Sequence, residues 1–201
     1  VATAALATST TELVREAHTE LLATRPASVE LATALALRHP HDYLAFAHLG
    51  EAHREKGAEL PFYNHALRLH PNHPGLHRVV ARALITRGAV RQAALEYAFA
   101  LRHSAEVAPL LGEIVRAFSD PALAALAIPT DYPVPEHLAR VLVQEKAQRV
   151  ALLYLQRVAQ EHPSAPRVGE LLYNAALGSG DLELAESAAR LRHRTAPSAA
   201  S

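Results

Sequence analysis

Proline cannot occupy a helix interior, because it lacks the backbone donor and its ring collides with the preceding turn. In this chain Pro129, Pro163 and Pro197 stand 34 residues apart. The intervals around them repeat one another. Segments 48–71, 79–103, 137–163 and 171–197 align so that Leu49, Val80, Leu138 and Leu172 each precede by eight positions Gly57, Gly88, Lys146 and Gly180. A fixed period of this length marks stacked supersecondary units, none of which can bury its apolar face alone.

Each unit is helical in content. The 201 residues include 42 Ala and 31 Leu, which head the helix-propensity scale, while aromatic residues make up only 5% and cannot populate a large sheet. Proline spacing and apolar periodicity predict helices over 9–24, 27–38, 42–56, 59–70, 74–87, 90–103, 105–118, 121–127, 135–146, 148–161, 165–178 and 181–194. Ser9 with Glu12 forms a capping box for the first helix. Asn72, Ser119 and Ser164 stand just ahead of Pro74, Pro121 and Pro166 as N-cap candidates. Paired, these helices make six hairpins, the fourth of them stunted. Residues 122–136 hold barely two helical turns and then three prolines in seven residues. Two readings stand: a rigid extended link that keeps the array in register, or a break that leaves Asp131 and Tyr132 exposed beside a groove.

The period and the residue types at it resemble the tetratricopeptide repeat. The second unit carries Phe46, Leu49-Gly50, Gly57, Tyr63, Ala66-Leu67 and Pro71; the third carries Gly88, Ala93, Tyr97 and Ala100-Leu101. The chain departs from that pattern in having no Trp at the first large position, and in shortened second and fourth units. The resemblance implies an all-α, right-handed superhelical solenoid over 9–197, with repeats near 9–40, 41–72, 73–104, 105–130, 131–163 and 164–197 and a loosely ordered segment 1–8. Small residues at Gly50, Ala66, Ala81, Ala93, Ala100, Ala139, Ala151 and Ala185 are expected at close helix contacts.

Composition excludes several chemistries. There is no Cys, so disulfides, thiol catalysis and iron–sulfur ligation are absent. Twenty basic and twenty acidic side chains cancel, which removes the electrostatic footprint of a nucleic-acid binder. No window of 18 apolar residues is free of charge, so no membrane insertion is expected within the chain. No Gly-x-Ser-x-Gly, phosphate-binding Gly-rich loop or His-Glu-x-x-His occurs. The Gly178-Ser-Gly180 pair reads as a helix C-cap. The expectation is a non-enzymatic protein with no cofactor. The lack of any Met, even at position 1, is what an excised piece of a longer protein would show.

Two residue types stand out. Eight of the thirteen His lie between 39 and 77. His73 and His77 are four apart and share a helix face, so with His70 they are the best metal-ligand candidates, weighed against a structural or solvated role. Below about pH 6 most imidazoles would charge and the chain would become cationic. Arginine outnumbers lysine eighteen to two. In the family that the chain resembles, the first helix of each hairpin lines a concave face. Carried over by position, that implies Glu51, Arg54, Arg78, Arg82, Arg116, Glu136, Arg140, Glu170 and Asn174 as groove residues, with Arg167 one turn before Glu170. These side chains form either an internal Arg–Glu ladder or a groove awaiting an anionic ligand. The expected partner is another protein, presenting an acidic peptide or helix. The alternative is an accessory repeat domain of a bacterial polysaccharide polymerase or ligase or of export machinery, in a cytoplasmic or periplasmic compartment.

Overall fold

The computed structural model describes residues 28–132, 135–162 and 168–195. The segment 1–8, the helix over 9–24, the Ser9 capping box, Ser164 and Arg167 lie outside them. Eleven α-helices follow in order: α1 Val29–Arg38, α2 Tyr43–Ala52, α3 Leu60–Leu69, α4 Pro74–Thr86, α5 Val90–His103, α6 Val107–Ala117, α7 Pro121–Leu126, α8 Pro135–Gln144, α9 Gln148–Glu161, α10 Val168–Ser179 and α11 Leu182–Thr195. No strand occurs among the described residues. Each helix falls within a few residues of the segment that proline spacing predicts.

Side chains set the helix starts. Ser28 accepts the Leu31 N–H at 3.1 Å and Asp42 accepts the Leu44 N–H at 3.0 Å, each satisfying a donor that the first turn leaves without a helical partner. Two expected caps move by one residue. His73, not Asn72, caps α4 through Nδ1 and the Leu76 N–H (3.3 Å). Asp120, not Ser119, caps α7 through the Ala122 N–H (2.8 Å). The cap must directly precede the first helical residue, and in both motifs that residue is the proline itself. The helix expected over 42–56 ends at Ala52, where the His53 ring meets the Leu49 carbonyl at 2.9 Å, and a 3₁₀ turn over Arg54–Lys56 follows.

Four hairpin turns share one hydrogen-bonding scheme. Gly57, Gly88, Lys146 and Gly180 have φ of 64°, 75°, 59° and 76°. The N–H of each donates to the carbonyl three residues back, and the next N–H to the carbonyl five back, as Lys146 to Val143 and Ala147 to Leu142. This left-handed cap ends a helix by satisfying its last carbonyls. Lys146 does so where the other three units have glycine.

The chain divides into two compact units, residues 1–83 and 84–201, with the division inside α4. In the first, α1 packs on α2 and α2 on α3. Ala32, Leu35, Ala36, Ala45 and Leu49 make its core, with Phe46 and Phe62 against them. Gly50 lets the buried Tyr63 ring lie on α2, since a methyl there would overlap ring carbons Cδ1 and Cε1. In the second unit the hairpins α6–α7, α8–α9 and α10–α11 form. Alternate helices also stack: α5 on α7, α7 on α9, α6 on α8 and α8 on α10. Neighbour-plus-next-neighbour packing is the arrangement of a solenoid, not of a closed bundle. The alanines expected at close contacts are buried, with Ala66, Ala81, Ala93, Ala100 and Ala151 wholly so.

The stunted hairpin of the second unit is tied down by side chains. Helix α7 has six residues, and Ala127 and Ile128 beyond it are fully buried. From α9, Arg157 Nη1 donates to the carbonyls of Ala125 (2.6 Å) and Ile128 (3.3 Å), and Thr130 Oγ1 donates to Glu161. From α5, Arg102 holds Asp131 through Nε at 3.2 Å and Nη2 at 2.8 Å. Asp131 is exposed yet paired with Arg102, Tyr132 is half-buried, and the segment 127–130 before them belongs to the core.

Candidate functional site

The expected groove residues fall into three situations. In the first unit, Glu51 is taken within its own hairpin: Arg54 Nη2 approaches Oε1 at 3.2 Å and the Tyr63 hydroxyl donates to Oε2 at 3.0 Å. Burial, and then that carboxylate, push the Tyr63 phenol well above its ordinary pKa. Arg78 and Arg82 belong to the same unit and are engaged rather than free. In the second unit, Arg116 is exposed on α6, where its guanidinium and the Glu145 carboxylate lie over Gly112. Glu170 is exposed on α10.

The third situation is a built groove. Helices α8, α9 and α10 border a cavity of about 290 Å³ lined by Glu136, Ala139, Arg140, Val143, Gln148, Leu155, Leu171, Asn174, Ala175 and Gly178. Three of the expected residues, Glu136, Arg140 and Asn174, therefore meet. Their spacing brings them together: Glu136, Arg140 and Val143 recur every three or four residues on α8, as do Leu171, Asn174 and Gly178 on α10. Floor and rim differ in chemistry. Ala139 and Leu155 are buried at the base, and Val143 is 46% exposed at the mouth. Arg140 and Asn174 are exposed at the rim and make no hydrogen bond or ion pair among the described residues. Glu136 stands one turn from Arg140 without an ion pair to it. An apolar floor with a few unpaired polar groups is the general form of a ligand site. Gln148 and Leu155 lie on α9, the second helix of its hairpin, and were not foreseen because positional carry-over addresses only first helices.

Several histidines of the first unit pack against aromatic rings. Tyr43 lies 4.7 Å from His70 and 5.1 Å from His73, ring centre to ring centre, while the His65 ring lies tilted against Phe46 at 4.0 Å. His77 Nε2 meets the Pro71 carbonyl at 2.8 Å. Among the described residues no group of three His, Asp or Glu converges as metal ligands, and His70, His73 and His77 form no such group. Burial, then the neighbouring His70, pulls the His73 pKa below its ordinary value.

No family model and no curated protein matches the sequence. Among solved structures the chain is similar to PilF of Pseudomonas aeruginosa, a tetratricopeptide-containing protein, at 18% identity over 77% of each chain and a TM-score of 0.36. The fold assignment rests on the helix order and stacking, not on that likeness.

Proposed function

We propose that this protein is a non-enzymatic interaction scaffold that takes an acidic peptide or helix of a partner protein in the groove between α8 and α10. The observation that carries the reading is the cavity itself, with its aliphatic lining of Ala139, Val143, Leu155 and Leu171 and an Arg140 guanidinium that no carboxylate among the described residues claims. An aliphatic side chain entering the cavity removes apolar surface from water. A neighbouring carboxylate gains the paired, planar hydrogen bonds that arginine offers. Asn174 and Gln148 present both donor and acceptor, as a peptide backbone requires.

The test is selection of binders from a random phage-displayed library of 12-residue peptides on the full chain, followed by fluorescence anisotropy with labelled synthetic copies. Recovered sequences should combine acidic with bulky aliphatic residues. Arg140→Glu and Val143→Asp, both at exposed positions, should weaken binding at least tenfold with helical circular dichroism unchanged. Basic or featureless recovered peptides, or binding indifferent to both substitutions, would place the site elsewhere.

A further inference from the structure

A second, larger cavity of about 740 Å³ opens along the hairpin-turn edge of the same unit, where the α6–α7, α8–α9 and α10–α11 turns meet. Its apolar wall includes Phe118, Pro121, Val150 and Leu152, and its charged groups are Lys146, Arg149 and Asp181. Gln148 lines both this cavity and the α8–α10 groove, so the two cavities adjoin at that residue. From the shared residue and these charges we infer that the turn edge is a second subsite of the partner peptide. The chain leaves the groove across Gln148 and delivers an acidic side chain to Lys146 and Arg149. This rests on the proposed groove and adds direction and a second anchor to it.

Three features support the assignment. Lys146 and Arg149 make no hydrogen bond or ion pair among the described residues, whereas Asp181 on the same rim is already engaged. Among the residues lining the two adjoining cavities, the unpaired cations are thus Arg140, Lys146 and Arg149, against the unpaired carboxylate of Glu136. That balance favours an acidic peptide. Lys146 also occupies the left-handed conformation, with φ of 59°, at the position where the equivalent turns carry glycine. A side chain there costs stability that glycine would not, and the αL backbone fixes where the Lys146 side chain emerges beside Arg149.

Those features give a test with two readouts of opposite sign. Lys146→Gly relieves the left-handed strain and removes the charge, so the melting temperature should rise while the affinity for the library-derived acidic peptides falls roughly three- to tenfold. Lys146→Asn, which tolerates the same backbone, and Arg149→Gln should each weaken binding by a similar factor, and the loss should shrink as salt is raised from 50 to 300 mM. If Arg140→Glu and Val143→Asp abolish binding while the Lys146 and Arg149 variants bind as the parent does, the turn edge is not a subsite and the groove reading stands. If neither set matters, or the library yields no binder, both readings fail.

Discussion

His73 carries three roles that a change of pH would set against one another. Its Nδ1 accepts the Leu76 N–H to start α4, its ring packs on Tyr43, and His70 stands 5.3 Å away, ring to ring. Protonation would remove the acceptor and place a cation beside His70 and His77, with Asp42 the acid at the start of α2. Because the folded pKa lies below the unfolded one, the native state binds fewer protons than the unfolded chain in the interval between them. The contribution of His73 is therefore complete above about pH 6.5 and declines as pH falls toward the folded pKa. Thermal melts at pH 7.5 and 5.0 should show a smaller acid-side loss in His73→Asn, which caps without titrating, than in the parent. His73→Ala should cost about 0.5 to 2 kcal/mol at pH 7.5. An equal acid-side loss in His73→Asn would assign the pH dependence to other histidines. At Gly50, substitution by Ala drives a methyl into the Tyr63 ring, which is buried and held by Glu51. Overpacking should outweigh the gain of about 1 kcal/mol in helix propensity and leave a net loss of roughly 1 to 3 kcal/mol in urea denaturation. The Leu49-Gly50 and Tyr63 pair was legible in the sequence through its repeat positions. The His73 and Asp120 caps were misplaced by one residue, because a cap depends on where the first helical φ falls and a motif alone does not state that.

Helix α7 shows how an element of six residues is kept. A helix this short is unstable alone, so its terminal carbonyls need partners from elsewhere. Arg157 supplies them at Ala125 and Ile128, and its own charge is steadied by Glu161 at 3.6 Å. The positive guanidinium also sits where the helix dipole is negative. Arg157→Ala should leave those half-buried carbonyls short of a donor and cost about 1 to 3 kcal/mol, with Arg157→Lys recovering part of the loss. A loss of a few tenths would mean that water replaces the guanidinium. The Arg102–Asp131 pair differs in exposure, with Asp131 57% exposed. Arg102 holds the Asp131 carboxyl below its ordinary pKa, so the pair stabilises the fold above about pH 4 and is lost as pH falls through the folded value. At that exposure Asp131→Asn should change stability by less than about 1 kcal/mol at pH 7. Helix positions were readable because proline and apolar period act over a few residues. The Arg157 contacts were not, because they join residues 29 and 32 apart in sequence that only the stacked fold brings together. The Gln148 wall of the groove escaped because the repeat pattern points only to first helices, and Gln148 opens the second helix of its hairpin.

At the scale of the whole chain, energies in a stacked array add from each unit and its neighbours, so each helix depends on the one that covers it. Helix α11 buries Ala185 and Ala188 and turns Glu186 and Arg190 outward, where they pair at 3.6 Å with both side chains more than three-quarters exposed. It packs on α10 and so covers one side of the helix that supplies Leu171, Asn174 and Ala175 to the groove. Leu172 and Ala176 are buried in α10, whereas Leu177 is 46% exposed even with α11 in place. Deleting residues 182–201 should expose Leu172, lower the melting temperature and promote concentration-dependent association, read by light scattering after size-exclusion chromatography. Peptide binding should weaken as well, since α10 loses the packing that fixes Asn174 over the cavity. Replacing Leu172 by Ser in the truncated chain should restore monodispersity without restoring affinity. A truncated protein that stays monomeric, equally stable and fully binding would show that α10 needs no cover, and that the order of the groove comes from α8 and α9 alone.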